Sequence, residues 1–373
     1  MSSKNIHEEP FDRGTITKLE IFQDYAQAWI PTFVMQSYVK EIHIFDFFSG
    51  PGYDCNEVPG SPIRILKKIN EHLGQILKTR TNIVLHFNEF EPKLKSQRKF
   101  EMLKENCLNF VHENPKFKYF LDINFYNKNA EELFFELLPL ITKYPSLVYL
   151  DQNGVKFISK EYVDELDNIK KSDFLYFVSS SFFKRYGKTE EFKKALEIDI
   201  NELESEQYCN MHRLVVSNIK SRLPINSELK LFPFSIKKNS NIYGIIFGSK
   251  NYAAVDKFLS IAWKRNELNG EADFDIDEDS GKGQLNIFGS KDLTKKEKFQ
   301  IDLEGLILKS KDISNKDVLI YTYENGHIPA HAVEVLKKLK SEKKIYYASS
   351  SPYLTYVNVF RNENIITYRV IKK

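Results

Sequence analysis

The chain has 373 residues, 42% of them apolar, with 29 Phe and 20 Tyr; this aromatic load excludes a disordered protein, and the length predicts one large domain plus a smaller one. A formal charge of only +3 does not by itself imply a polyanion partner, and no apolar run approaches the roughly 18 residues that a membrane span needs. The start, MSSKNIHEEPFDRG, has no hydrophobic signal core, and three widely spaced cysteines (Cys55, Cys107, Cys209) predict neither a disulfide framework nor structural zinc, which fits a reducing, cytoplasmic setting.

In TITKLEIFQDYAQAWIPTFVMQSYV, Leu19, Phe22, Tyr25, Ala26 and Trp29 recur near helical spacing and predict a leading helix over 15–38, ended or kinked by Pro31. EIHIFDFFSGPG reads as a strand stopping at glycines, and GSPIRILKKINEHL as the helix after it. NIVLHFNEFEP, FKYFLDINFYN, SLVYLDQNG and SDFLYFVSS read as four more strands. They alternate with helical KLKSQRKFEMLKENCLNFV, AEELFFELLPLI and EYVDELDNIK. Such alternation predicts a mostly parallel, doubly wound α/β sheet, Rossmann-like in type. NIYGIIFGS (241–249) is expected as a late edge strand and AAVDKFLSIAWKRN as a closing helix.

The acidic ELNGEADFDIDEDSGKG (267–283) reads as a solvated linker or surface loop, since its spacing is not that of a calcium loop. It predicts a domain boundary near 290, giving 1–290 and 291–373. From Lys295 onward there are 15 Lys and Arg against 9 Asp and Glu, about +6, so the rest sums to about −3. Two helical stretches, 296–312 and HIPAHAVEVLKKLKSEKK, precede IYYA and a ribbon around the turn RNEN. That order predicts a small C-terminal winged helix-turn-helix module. Its lysine-rich helix is either a DNA or RNA contact or a solvated face.

The chemistry-bearing residues cluster at strand ends. Asp46 ends the first strand, and Gly50-Pro51-Gly52 makes an abrupt turn where backbone can approach a ligand. No G-x-G-x-x-G or P-loop is present. The D-x-x-x-G-x-G order suits an amino-acid-bearing sulfonium, S-adenosylmethionine (SAM), better than a pyrophosphate; a tight turn is the plain alternative. Glu89, closing the second strand, is placed to accept ribose hydroxyls, with Glu91 two residues on as the other candidate. Asn129 is either an adenine contact or a turn former.

At the fourth strand's tip, Asp151 would act as proton acceptor, with Gln152 and Asn153 holding the acceptor. A simple turn at Asn153-Gly154 is the alternative. Lys184 and Arg185, after the fifth strand, are candidate substrate or phosphate contacts, while Ser180 or Ser181 would cap a helix. No G-x-S-x-G elbow, H-E-x-x-H or Cys/His cluster points to hydrolysis or a metal.

Together these segments resemble the three-Cys-motif partner protein (TcmP) family, over nearly the whole chain. TKLEIFQDYAQAW is similar to its leading helix, DFFSGPG and GSPIRIL to its glycine loop and the helix after it, and HFNEFEP to its acidic strand end. LVYLDQNG is similar to its fourth-strand motif, IIFGSKNYAAVDKFLSIAWK to its late strand and helix, and HIPAHAVEVLKKLKSEKKI to its C-terminal module. The resemblance implies a methyltransferase-like fold, puts Asp46, Gly50, Gly52, Glu89 and Asp151 at the site, and implies a radical-SAM-like partner carrying the three cysteines. The chain departs from the family at Asp151-Gln152-Asn153-Gly154, where Asp-Pro-aromatic-Gly is usual, so base N-methylation does not follow. Two functions result: a SAM-dependent methyltransferase working on or with nucleic acid, or a non-catalytic nucleic-acid-binding scaffold, either of which fits antiviral defence.

Overall fold

The computed structural model describes residues 9–92, 98–152, 156–180, 208–238, 241–282 and 292–371. It divides into two compact units, Met1–Lys250 and Asn251–Lys373.

The first unit opens with α1 (Arg13–Val34), capped by the Asp12 side chain, which accepts the Thr15 amide at 2.9 Å. Pro31 lies inside this helix and does not end it. Proline lacks the N–H that would bond the carbonyl four residues back. That orphaned oxygen, on Gln27, is met by His72 Nε2 at 3.2 Å. Trp29 and Tyr25 are fully buried on the helix's inner face.

Seven strands form one sheet: β1 (Glu41–Asp46), β2 (Asn82–Asn88), β3 (Leu121–Tyr126), β4 (Ser146–Leu150), β5 (Ser172–Ser179), β6 (Lys230–Lys238) and β7 (Asn241–Ser249). The order is 3-2-1-4-5-7-6. The first five strands run parallel, and β7 is antiparallel to both β5 and β6. The helices of this unit include α2 (Ser61–Glu71), α3 (Leu73–Thr79), α4 (Arg98–Glu113), α5 (Ala130–Lys143), α6 (Lys160–Asn168) and α7 (Met211–Arg222). This is the doubly wound, Rossmann-like sheet of the SAM-methyltransferase type.

Side-chain alternation along β4 shows how both faces are covered. Val148 and Leu150 join Phe45, Phe47, Phe134, Tyr162 and Val215 in one apolar layer beneath α5, α6 and α7. Tyr149 faces the other way, stacks on Phe22 of α1 at 4.5 Å, and donates its hydroxyl to the Phe22 carbonyl at 2.8 Å.

The strand expected at the edge, β7, is interior; the edge is β6, whose sequence KLFPFSIKK does not read as a strand. Pro233 removes a ladder donor, which an edge strand tolerates.

The second unit begins with the expected closing helix, here α8 (Tyr252–Arg265). The break after Lys250 thus precedes the boundary expected near 290, because α8 packs within the C-terminal unit: Trp263 Nε1 donates to the Gly326 carbonyl at 2.8 Å. Nor is the acidic stretch a solvated linker over its described part. Asn269 is buried, accepting the Glu271 and Ala272 amides at 2.8 and 3.0 Å, and buried Asp279 pairs with Lys282 and accepts the Lys295 amide.

Then come α9 (Lys295–Lys309), β8 (Asp312–Ser314), α10 (Asn315–Glu324), α11 (Pro329–Ser341), β9 (Ile345–Tyr346) and β10 (Thr367–Val370). Capping boxes at Thr294/Glu297 and Ser314/Asp317 set the starts of α9 and α10. The strands form an antiparallel sheet in the order β8-β10-β9. This is a winged helix-turn-helix. Its ribbon differs from the expected one: Val357–Arg361 is a π-helical turn, and β10 pairs instead with β8 and β9.

Candidate functional site

The strand order reverses between β1 and β4, and ligands of open α/β sheets bind at the carboxyl ends of strands beside such a reversal. Asp46, the last residue of β1, is 2% exposed. Its Oδ2 accepts the Ser61 hydroxyl at 2.6 Å and its Oδ1 the Phe48 amide at 3.2 Å. Burial pushes its carboxyl up to about 7, against those two donors; Asp151 raises it further and Lys18 opposes. Because Ser61 opens α2, the carboxyl ties strand, loop and helix together.

Gly50 (φ 64°) and Gly52 (φ 96°) occupy the left-handed region that favours glycine. The Gly52 carbonyl accepts the Gly60 amide at 2.7 Å, closing the loop. The Gly50 amide donates to Glu89 Oε2 at 2.9 Å, so the acid after β2 is fixed against the glycine turn. Burial raises the Glu89 carboxyl, opposed by that amide and by Lys99. Glu91 faces elsewhere: its Oε2 accepts the Lys99 and Phe100 amides at 2.8 and 3.0 Å, at the start of α4. Of the two acids, Glu89 is the one bonded to the glycine turn.

Asn129 caps α5, its Oδ1 accepting the Glu131 amide at 2.9 Å. Asp151 follows β4 and forms an ion pair with Lys18 of α1. Gln152 is 5% exposed; its Oε1 accepts the Phe157 amide at 3.0 Å, while its Nε2 has no partner among the described residues. Asn153, Lys184, Arg185 and Ser181 lie outside the described residues. Ser180 is buried, 3.4 Å from His212 Nε2.

Lys18 joins this cluster through Asp151 without having been expected there from the sequence. It is 7% exposed, and its ammonium lies 4.4 Å from the centroid of the Phe177 ring. A signal existed: Lys18 falls on the buried stripe with Phe22, Tyr25 and Trp29, where a lysine is out of place. Among the described residues, no group of three or more His, Cys, Asp or Glu is arranged to hold a metal ion.

In the winged helix, α11 presents Lys337 and Lys338 outward. Lys338 pairs with Glu304 of α9 at 2.9 Å, as does Lys344 at 3.2 Å, while Lys296 pairs with Glu334 at 2.8 Å. Three of the lysines of this unit are therefore paired within it, although Glu304 alone balances only one of the two it holds. No described helix is long and apolar enough to cross a membrane.

Residues 273–352 match the GMT-like wHTH domain. No curated protein matches the chain. Among solved structures, it is similar to the O-methyltransferase TomG from Streptomyces achromogenes, involved in tomaymycin synthesis and crystallised with SAM. Identity there is 9% and the TM-score 0.32, over 64% of this chain and 90% of that one. A candidate O-methyltransferase from Klebsiella pneumoniae gives 8% and 0.31, over 64% and 90%. At such scores the likeness decides nothing; the strand order and directions carry the fold.

Proposed function

We propose that the first unit binds SAM and that the protein is a methyltransferase-like partner of a radical-SAM-like three-Cys-motif protein, acting on or with nucleic acid. The observation that carries this reading is the joined constellation of buried Asp46, the positive-φ turn Gly50–Gly52 and Glu89 bound to the Gly50 amide. Asp46 would take the ligand's ammonium. Glu89 holds the turn with one oxygen and would accept ribose hydroxyls with the other. The Asn129 amide would meet the adenine edge. SAM supplies an electrophilic methyl group when bound, and the chain's part is alignment of an acceptor by Asp151 and Gln152, with Asn153, Lys184 and Arg185 as further acceptor contacts. The resemblance to the TcmP family supports the partner, and the winged helix supports the nucleic acid.

One observation favours a second reading. Asp151, the residue suited to accept a proton, is already engaged by the Lys18 ammonium. A domain that binds SAM or a related nucleoside without turnover, presenting nucleic acid to its partner enzyme, fits that pairing.

Titration calorimetry with SAM on wild type and an Asp46→Ala/Glu89→Ala variant tests the proposal. Micromolar binding, weakened more than about a hundredfold in the variant, is expected from the loss of two charged hydrogen-bonding groups. A folded wild type that shows no binding overturns it. Methyl transfer from SAM to DNA or RNA, assayed with the partner present, then separates the enzyme from the scaffold.

A further inference from the structure

Lys18 is not explained by packing. An ammonium on the inner stripe of a buried helix is costly to desolvate, and an apolar side chain would fill the position without that cost. Its surroundings are few and specific. Asp151 pairs with it, and the Phe177 ring lies 4.4 Å away. Asp46 ends the neighbouring strand, in register with Tyr149 two residues before Asp151. The carboxyl ends of β1 and β4 therefore hold two acids and one base within a single polar cluster. Gln152 Nε2, a buried donor without a partner among the described residues, belongs to the residue beside Asp151.

We propose that Lys18 binds the carboxylate of the ligand's α-amino-acid end, opposite Asp46, which binds its ammonium. The inference rests on the reading of the ligand as SAM and adds the residue that makes the site selective for an intact amino-acid head. One acid and one base, each buried, match the two opposite charges of a zwitterion. A lysine ammonium has three donors, so it can keep Asp151 while receiving a second carboxylate. The Asp151 side chain is 25% exposed, so water can complete its hydrogen bonds when the ammonium is shared with the ligand. Asp151 is thus the counter-ion that holds Lys18 in place for the ligand.

The test compares S-adenosylhomocysteine with 5′-methylthioadenosine, which share the adenosine and the thioether while only the first carries the amino-acid head. Calorimetry on wild type, Lys18→Met, Lys18→Arg and Asp151→Asn gives the affinities, and circular dichroism confirms that each variant folds. Wild type is expected to prefer S-adenosylhomocysteine by about tenfold or more. Lys18→Met should weaken that ligand by about tenfold to a hundredfold and leave 5′-methylthioadenosine unchanged, the range of one charge-assisted contact. Lys18→Arg should restore most of the loss, and Asp151→Asn should retain or improve binding by releasing the ammonium.

Equal losses for both ligands in Lys18→Met, or no loss, overturn the proposal. So does a loss in Asp151→Asn as large as in Lys18→Met, which would make the pair a structural clamp. A wild type that binds both ligands equally removes the grip and leaves the adenosine site standing. A wild type that binds neither removes both readings.

Discussion

Asp46 occupies a position where burial makes ionisation unfavourable and a ligand's ammonium would make it useful. Its carboxyl titrates near 3.8 in an unfolded chain and at about 7 in the folded one, raised chiefly by burial. Between those values the folded state holds a proton that the unfolded state has lost, so stability falls as pH rises from about 4 to 7. Asp46→Asn removes that penalty. Urea denaturation at pH 8 should find the variant more stable than wild type, by up to roughly 4 kcal/mol, with the gain gone at pH 4. Ligand binding runs the other way. Wild-type affinity for SAM should rise with pH up to about 7 and then level, because only the carboxylate receives the ligand's ammonium; a flat profile would remove Asp46 from that role. The candidates Asp46 and the glycines were legible in the sequence, because a strand followed by D-x-x-x-G-x-G admits few geometries, and Glu89 was legible as one of two acids at the end of the second strand. Lys18 was legible only as a lysine on an apolar stripe, since its partner Asp151 lies 133 residues away and only the folded sheet brings the two together.

At the scale of elements, the glycines of β7 and the cap of α5 give contrasting expectations. A Cβ added at Gly244 would lie 1.9 Å from His212 Cδ2, and buried His212 also bonds the Val178 carbonyl and the Ser235 hydroxyl. Neither the ring nor the strand can yield cheaply, so Gly244→Ala should cost at least about 3 kcal/mol in chemical denaturation. Asn129→Ala should cost only about 1 kcal/mol, the usual effect of removing an N-cap. A larger loss of SAM affinity than of stability in Asn129→Ala would give Asn129 a ligand role beyond the cap. Five parallel strands were readable because apolar runs alternate there with stretches of helical period. The β6–β7 pair was half readable. The ladder of β6 is made with β7, and its own sequence, interrupted by Pro233 and ending in lysines, carries little periodicity.

At the scale of the molecule, net charge and charge placement diverge. The lysine count after residue 295 suggests a polyanion surface, yet Glu304 holds both Lys338 and Lys344. Replacing it tests whether these lysines reach phosphate. Glu304→Gln should tighten binding to a DNA or RNA duplex and steepen the slope of log affinity against log salt by about one, because released lysines displace further counterions. An unchanged slope would mean that Lys338 and Lys344 make no phosphate contact. Composition could not show this, since counting charges does not reveal which are paired. The acidic segment misled for the same reason: Asn269 and Asp279 are buried there and hold backbone amides.

The two compact units also divide the chain's two tryptophans. Trp29 is buried in α1 of the first, and Trp263 in α8 of the second, against Gly326 and with His331 4.4 Å from its ring. Each unit therefore carries its own fluorophore. In Trp29→Phe the tryptophan emission reports only the C-terminal unit, and in Trp263→Phe only the N-terminal one. Ligand and nucleic acid can then be followed in separate optical channels of the same full-length protein, with SAM expected to shift the melting of the Trp29 channel and a duplex that of the Trp263 channel.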